Sequence, residues 1–289
     1  MYPSRFKYEA PKTLEEAIAL LDAGKGDAKV LAGGQSLVPM LKLRFAFPDQ
    51  IVDINNIPDL DYHRFDADGT LRIGALCRHE DLEHSQTIAL GQPTIAAAAP
   101  LVADPIVRTR GTFVGSVCHA DPQGDWAAAM IALGGHMIVQ GPKGKRTIDM
   151  KDFVLGPYTN AMNYNEIAIE AVIPAPKGVA RGGYLKLERR VGDFATASVA
   201  VSLDMDGGKV LRAGIALAGV GGKTIDANAE AAFLVGKELS PSNIVKVAEL
   251  VAAKAEPRTD HRGSSEYKRQ IVRTFVTRIL TAQSAQKVA

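Results

Sequence analysis

The chain has 289 residues, of which 46% are hydrophobic and 23% charged, and its net charge is +2. That length allows two domains with buried cores. The near-neutral balance argues against nucleic acid or an acidic membrane surface as a partner, and no apolar run reaches membrane-spanning length.

In chain order, Thr13-Leu14-Glu15-Glu16 is a capping-box pattern opening a helix. Leu14, Ala17, Ile18 and Leu21 share one face of it, and Gly24 and Gly26 end it. Residues 29–32 read as a strand, followed by Gly33-Gly34-Gln35-Ser36 and a new apolar run from Leu37. Residues 50–54 form the next strand, so residues 1–57 make a small β-α-β-like unit. Strands at 62–65 and 70–76 are joined by a turn at Asp66-Ala67-Asp68-Gly69. A short helix is expected at 78–84 and a packed helix at 95–102. Residues 109–125 read as a long turn-rich passage, closed by a helix at 126–133. A hairpin at 137–140 and 146–149 and a strand at 166–173 follow. Pro174-Ala175-Pro176-Lys177-Gly178 is the best linker. Beyond it, strands at 183–188, 195–205 and 209–218 precede helices at 226–235, 241–255 and 265–282. In the last two helices Ile244, Val247, Ala248 and Val251, then Tyr267, Ile271, Phe275 and Ile279, are expected to face inward. Strands followed by helices indicate an α+β fold.

Two glycine passages stand out. Glycine lets backbone N–H groups approach a ligand, and consecutive N–H groups make an anion-binding concavity. Gly33-Gly34-Gln35-Ser36 is therefore either a phosphate-binding turn or an ordinary tight turn between a strand and a helix. In the second passage Gly111 and Gly115 allow backbone approach, Thr112 and Ser116 offer hydroxyls, and Asp121 and Asp125 offer carboxylates. Together the passages suit a dinucleotide, with amides on its pyrophosphate and a carboxylate on its sugar hydroxyls. No GxGxxG is present, so such a site is not a Rossmann site. His119, Asp121 and Asp125 leave open a metal-dependent hydrolase. The bland alternative is a turn at Asp121 and a helix cap at Asp125. Val220-Gly221-Gly222-Lys223-Thr224 lacks the leading glycine of a P-loop, and no GxSxG elbow occurs. Lys186, Arg189 and Arg190 mark either a solvated strand end or a ligand contact. Cys77 and Cys118 form no CxxC pair, which argues against a metal or cluster on this chain's thiols. The first residues carry no apolar signal core, so a cytoplasmic protein is expected.

Several of these residues, in this order, resemble the flavin-binding medium subunits of molybdenum hydroxylases of the carbon monoxide dehydrogenase and xanthine dehydrogenase type. The resemblance is carried by Ala32-Gly33-Gly34-Gln35-Ser36, Thr112-Phe113-Val114-Gly115-Ser116, Ala120-Asp121-Pro122 with Asp125, and the stretch Lys186-Leu187-Glu188-Arg189-Arg190-Val191-Gly192-Asp193-Phe194-Ala195-Thr196-Ala197. Phe6-Lys7-Tyr8 and Pro11-Lys12-Thr13-Leu14-Glu15-Glu16-Ala17 also fit it, so the resemblance spans essentially the whole chain. It implies a two-part FAD-binding domain of the p-cresol methylhydroxylase type over 1–176, with subdomains 1–57 and 58–176. A smaller α+β domain with a three-stranded antiparallel sheet would cover 179–289. Ala32, Gly33, Gly34, Gln35, Ser36 and Leu37 would wrap the FAD diphosphate together with Gly111, Thr112, Val114, Gly115 and Ser116. Asp121 and Asp125 would line the site, with Asp125 on a flavin-side hydroxyl. Lys186 would lie beside the isoalloxazine and Phe194 near it. No catalytic residue or metal is implied on this chain, since FAD is the redox centre. A small subunit with two [2Fe-2S] clusters and a large molybdopterin subunit would complete a dimer of heterotrimers. Electrons would pass from the clusters through FAD to an external acceptor.

Two departures from the family pattern bear on the site. The family's second loop usually reads Thr-Ile-Gly-Gly-Asn; here Val114 replaces the first paired glycine and Ser116 the asparagine. Valine disfavours positive φ, so this loop is expected to hold a β-region backbone at 114 or to bind FAD with altered contacts. A flavin-free scaffold subunit is the alternative that follows. Phe194 stands where tyrosine is frequent, keeping an aromatic surface without the hydroxyl.

Overall fold

The computed structural model describes residues 2–285. Its first unit contains β1 (Lys7–Glu9), α1 (Leu14–Ala23), β2 (Ala28–Leu31), α2 (Leu37–Lys42) and β3 (Gln50–Asp53). The strands form a parallel sheet in the order β1-β3-β2. The Thr13 hydroxyl caps α1 by accepting the Glu16 N–H at 3.2 Å, and the Glu16 carboxylate accepts the Lys12 N–H at 2.9 Å. The reciprocal half of the box thus lands one residue before the cap. Ala17, Ile18 and Leu21 are buried as their spacing predicts, while Leu14 is half-buried.

The second unit is an antiparallel sheet with its helices. It contains β4 (His63–Phe65), β5 (Leu71–Gly74), α3 (His79–Glu83), α4 (Gln86–Gly91) and α5 (Pro93–Ala98). A 3-10 turn at Ala99–Leu101 leads to α6 (Pro105–Arg108), α7 (Phe113–His119) and α8 (Asp125–Ala132). The hairpin β6 (His136–Gly141) and β7 (Gly144–Asp149), the short helix α9 (Met150–Phe153), the strands β8 (Val154–Gly156) and β9 (Thr159–Asn160), and β10 (Ile167–Ile173) complete it. The strand order is β4-β5-β10-β6-β7, with β10 buried along its whole length. Here the structure corrects two expectations. Residues 109–125 are not wholly irregular, because α7 occupies the middle of the passage. The helix expected over 95–102 divides, since Pro100 has no N–H to continue the ladder and the chain tightens into the 3-10 turn.

After Pro174-Ala175-Pro176-Lys177-Gly178, β11 (Val179–Leu187), β12 (Ala197–Asp206) and β13 (Lys209–Ala218) make the three long antiparallel strands expected. A two-residue strand, β14 (Ile225–Asp226), adds a fourth at the edge. The helices α10 (Asn228–Ala231), α11 (Pro241–Lys254) and α12 (Ser265–Ala285) cover this sheet. In α11 the four expected residues are buried. In α12 Ile271 and Ile279 are buried and Phe275 partly so, but Tyr267 is 51% exposed. The inward face at that end is carried instead by Lys268, whose ammonium meets Asp260 at 2.6 Å and the Arg258 carbonyl at 3.0 Å. A buried cation is tolerated because it is paired.

The last sheet also packs on the second unit through α5 and α8. The Thr94 hydroxyl donates to the Val201 carbonyl at 2.7 Å, and Arg212 and Asn228 donate to the Ala132 and Ile131 carbonyls at 3.0 and 3.1 Å. No helix among the described residues is long and apolar enough to cross a membrane.

Candidate functional site

The two glycine passages meet. A Cβ added to Gly33 would stand 2.8 Å from the Gly111 Cα and closer still to the Arg110 carbonyl oxygen. Only glycine permits that approach of one backbone to another. Gly34 takes the left-handed region, with φ of +76°, and turns the chain from β2 into α2. The backbone N–H groups of residues 33–37 have no hydrogen-bond partner among the described residues. The Gln35 amide and Ser36 hydroxyl likewise make no hydrogen bond there, and Ser36 stands at the α2 cap without capping it. A half-buried row of unpaired donors is an anion-binding arrangement.

Two side chains that no sequence motif singled out tie the loops together. Asn55 Nδ2 donates to the Ala32 carbonyl at 2.8 Å. Arg78 donates from Nη2 to Asn55 Oδ1 at 2.7 Å and from Nη1 to the Arg110 carbonyl at 2.6 Å. Burial, with the Arg110 guanidinium nearby, holds the Arg78 pKa below its ordinary value. Neither arginine makes an ion pair within 4.0 Å among the described residues, so the junction of the two loops carries two cations without a carboxylate partner.

The second loop rests on an aromatic floor. A Cβ on Gly111 would lie 2.7 Å from His79 Nε2. His79 Nδ1 accepts the Trp126 indole N–H at 3.0 Å, and the Trp126 ring lies 4.6 Å from that of Phe113. Burial lowers the His79 pKa to about 4, with Arg108 and Arg78 adding to the shift. Thr112 caps α7 by accepting the Gly115 N–H at 3.2 Å. Residue 114 corrects the expectation made for it. Val114 is neither extended nor in the loop; it lies in the first turn of α7, 2% exposed, with its side chain in the core. Right-handed helical backbone is open to valine, whereas positive φ is not. Ser116, half-buried in α7, has a hydroxyl without a partner among the described residues.

Asp121 and Asp125 part company. Asp121 Oδ1 accepts the Gln123 N–H at 2.8 Å, and burial, with Asp121 nearby, raises the pKa of Tyr158. The Tyr158 ring lies 5.1 Å from that of His119. Asp125 opens α8 and gives Oδ1 to the Tyr184 hydroxyl at 2.6 Å and Oδ2 to the Lys186 ammonium at 3.1 Å. Lys186 also donates to the Leu101 carbonyl at 2.9 Å and lies 3.6 Å from Glu188 Oε2. Its side chain is 2% exposed and that of Asp125 is 8% exposed. Burial pushes the Asp125 pKa up, opposed by Lys186 and Tyr184. The two residues expected to contact a cofactor separately are here engaged with each other, across the seam between the second and third sheets. Among the described residues no three His, Cys, Asp or Glu side chains group to hold a metal ion.

Phe194 is 52% exposed on a loop held at two points. Arg262 grips Asp193 with both Nη atoms, each at 3.1 Å, and donates to the Phe194 carbonyl at 2.8 Å. Gly192, with φ of +85°, packs against Ala103 and Asp104. Asp104 in turn caps α6, which runs into Arg110 and Gly111. The loop carrying Phe194 therefore leans on the element that delivers the second glycine passage.

Comparisons with known proteins agree in direction. Residues 4–176 match the FAD binding domain in molybdopterin dehydrogenase, and residues 183–283 match the CO dehydrogenase flavoprotein C-terminal domain. The chain is 40% identical to the carbon monoxide dehydrogenase medium chain of Hydrogenophaga pseudoflava, over 99% of each chain. It is 35% identical to the glyceraldehyde dehydrogenase medium chain of Sulfolobus acidocaldarius, over 100% of each. Its fold is similar to a chain of the reconstituted CO dehydrogenase from Oligotropha carboxidovorans, with a TM-score of 0.94 at 35% identity over 99% of each chain.

Proposed function

The chain belongs to the family of FAD-binding medium subunits of molybdopterin dehydrogenases, of the carbon monoxide dehydrogenase type, and on that premise we propose that it carries electrons through FAD inside a molybdenum hydroxylase complex. In this reading electrons arrive from [2Fe-2S] clusters on a small partner subunit and leave to an external acceptor. A large molybdopterin subunit hydroxylates the substrate, and the whole assembles as a dimer of heterotrimers. The cytoplasm is the proposed compartment, consistent with two free cysteines. The proposed division is a FAD-binding domain over 1–176 and a C-terminal domain over 179–289. The relatives' names differ in substrate, so the substrate belongs to the partner chains.

The observation that carries this reading is the junction of Gly33 with Arg110 and Gly111. It turns two turns into one cradle whose free N–H groups and flanking cations fit a diphosphate. The residues present thus fit FAD. Residues 33–37 would donate backbone N–H groups to its phosphates, with the Gln35, Ser36 and Ser116 side chains and the Thr112 cap alongside. Arg78 and Arg110 would neutralise its charge. FAD supplies the redox chemistry when bound. Phe194 offers an aromatic surface on a loop that Arg262 holds and that packs on Ala103 and Asp104, at the start of the element leading to the second glycine passage. Lys186 and Asp125 hold the C-terminal domain in place behind it. The flavin-free scaffold draws its motive from Val114 and Ser116. Val114 lies inside the core and leaves the cradle clear, which favours FAD.

The test is the visible spectrum of the purified complex before and after acid release of cofactor, followed by anaerobic reduction with substrate. FAD released by acid from one sample, and a bound flavin that bleaches when substrate is added anaerobically to another, support the reading. A complex that passes substrate-derived electrons to an acceptor while holding no flavin contradicts it.

A further inference from the structure

A buried polar cluster sits at the seam between the second and third sheets. Tyr184 and Lys186 alternate along β11 onto one face, and Glu188, just past the end of the strand, continues that face. Asp125 meets them from α8. Lys186 is the hub. Its ammonium has three N–H donors but only two acceptors within hydrogen-bond distance, the Leu101 carbonyl at 2.9 Å and Asp125 Oδ2 at 3.1 Å. Glu188 Oε2 stands 3.6 Å from the same nitrogen, and this buried oxygen has no hydrogen bond among the described residues. Ser198 Oγ, opposite Lys186 in the sheet register, is buried without one as well. A spare donor beside spare acceptors is costly in a protein interior unless something uses it.

Access to the cluster runs through one residue. The Glu188 side chain is 18% exposed and that of Lys186 only 2%, so Glu188 links solvent to the interior. Two carboxylates share the one ammonium, and burial raises the Asp125 pKa with Glu188 adding to the rise, so an incoming proton has a group to receive it. The cluster is also tied to the cofactor site on two sides. Asp125 precedes Trp126, whose indole N–H reaches His79 beneath Gly111 of the cradle. Leu101, which holds Lys186, leads into Ala103 and Asp104, on which Gly192 of the Phe194 loop packs.

We propose that Glu188 and Lys186 form the path by which a proton reaches and leaves the bound FAD. The proposal rests on the reading of the chain as an FAD-binding subunit. As two electrons enter the flavin from the [2Fe-2S] clusters, Lys186 gives it one proton through the N–H left without an acceptor. Glu188 then returns a proton from solvent to Lys186. On reoxidation the electrons pass to the acceptor and the same proton travels outward. Asp125, which Tyr184 also holds, keeps the ammonium in position throughout.

The full chain, loaded with FAD, is mixed anaerobically with dithionite, which supplies the two electrons, and bleaching of the flavin is followed by stopped flow across the neutral and alkaline range. Wild type bleaches at a rate nearly independent of pH. Glu188→Gln keeps the shape of the side chain but passes no proton, so it bleaches about a hundredfold more slowly, at a rate that rises with proton concentration. Glu188→Ala is slow likewise and regains speed with added acetate, a small carboxylate that fits the gap. FAD affinity and the melting curve of Glu188→Gln match wild type, and Glu15→Gln, an exposed carboxylate in the first unit, changes no readout. Bleaching of Glu188→Gln at the wild-type rate and pH profile overturns the proposal. Variants that are slow only in proportion to the FAD they have lost, without response to acetate, also overturn it, because Glu188 then serves the fold alone. A wild-type chain that takes up no FAD overturns the FAD reading together with the proposal, whereas full FAD uptake with an unchanged Glu188→Gln rate leaves that reading standing.

Discussion

Gly33 and Gly111 lie so close that a Cβ on the first would stand 2.8 Å from the Cα of the second. They are far apart in sequence and lie in loops of the first and second units. Their contact makes one ligand cradle from two ordinary turns, and Arg78 locks it from the side through Asn55 and the Arg110 carbonyl.

Arg78→Ala removes both of those bonds and one of the two flanking cations. FAD affinity is expected to fall by about tenfold to a hundredfold, the range for losing a charge-assisted contact of about 1.5–3 kcal/mol. Arg78→Lys keeps the charge but not the fork, and should recover only part of the loss. Equilibrium titration with FAD checks both.

Asp125 and Lys186 form a buried pair across the seam, 3.1 Å apart. Removing Lys186 strands the Asp125 charge beside Glu188, so Lys186→Met alone should cost about 3–5 kcal/mol, whereas Asp125→Leu leaves Lys186 its contact with Glu188 and should cost less. The double variant removes the stranded carboxylate at 125 and should recover part of the Lys186→Met cost, Glu188 still lacking its cation. Denaturant unfolding of the four proteins measures it. Two single losses that simply add would show that the residues do not act as a pair.

His79 stays neutral in the folded chain, with a pKa near 4 against an ordinary value of 6.5. The unfolded chain takes up this proton first as pH falls. The contribution to stability is therefore full above pH 6.5 and is lost as pH drops toward 4, by about 3 kcal/mol in all. Urea unfolding at pH 7 and pH 4.5 should show the loss. His79→Gln, which can still accept the Trp126 N–H, should flatten the dependence.

Val114 faces the core from the first turn of α7. Val114→Gly removes buried methyl groups and adds backbone entropy, so it should destabilise the chain by about 2–3 kcal/mol. FAD affinity should stay within about twofold, because the side chain does not enter the cradle. A thermal melt and a FAD titration of the same variant separate the two effects.

Much of this architecture is readable from local pattern. The Thr13 cap, the apolar stripes of α1 and α11, the turn-bounded hairpins and the glycine run after β2 each carry their signal within a few residues. What escaped has a common cause. Strand β1 is three polar or exposed residues that pair only because β3 arrives beside them. Helix α7 is hidden by Gly115 and Ser116, whose low helix propensity masked the one available sign, Thr112 three residues ahead of Gly115. Asn55 and Arg78 belong to no motif, and their roles exist only once two loops distant in sequence have met. Asp125 and Lys186 look like separate ligand candidates because nothing local shows that each is the other's counterion. Tyr267 sits at helical spacing from Ile271, yet Lys268 takes the inward position because Asp260 and a backbone carbonyl are there to receive it.

The most direct test of the joined cradle is a FAD titration of the purified wild-type chain and of Gly33→Val, followed by flavin fluorescence, with circular dichroism to confirm that both fold. Wild type should bind one FAD, and Gly33→Val, whose side chain forces the first loop off Arg110 and Gly111, should lose at least a hundredfold in affinity while keeping its secondary structure. Equal FAD binding by the two folded proteins would contradict the assignment, because the approach of the two glycines would then have no part in holding the cofactor.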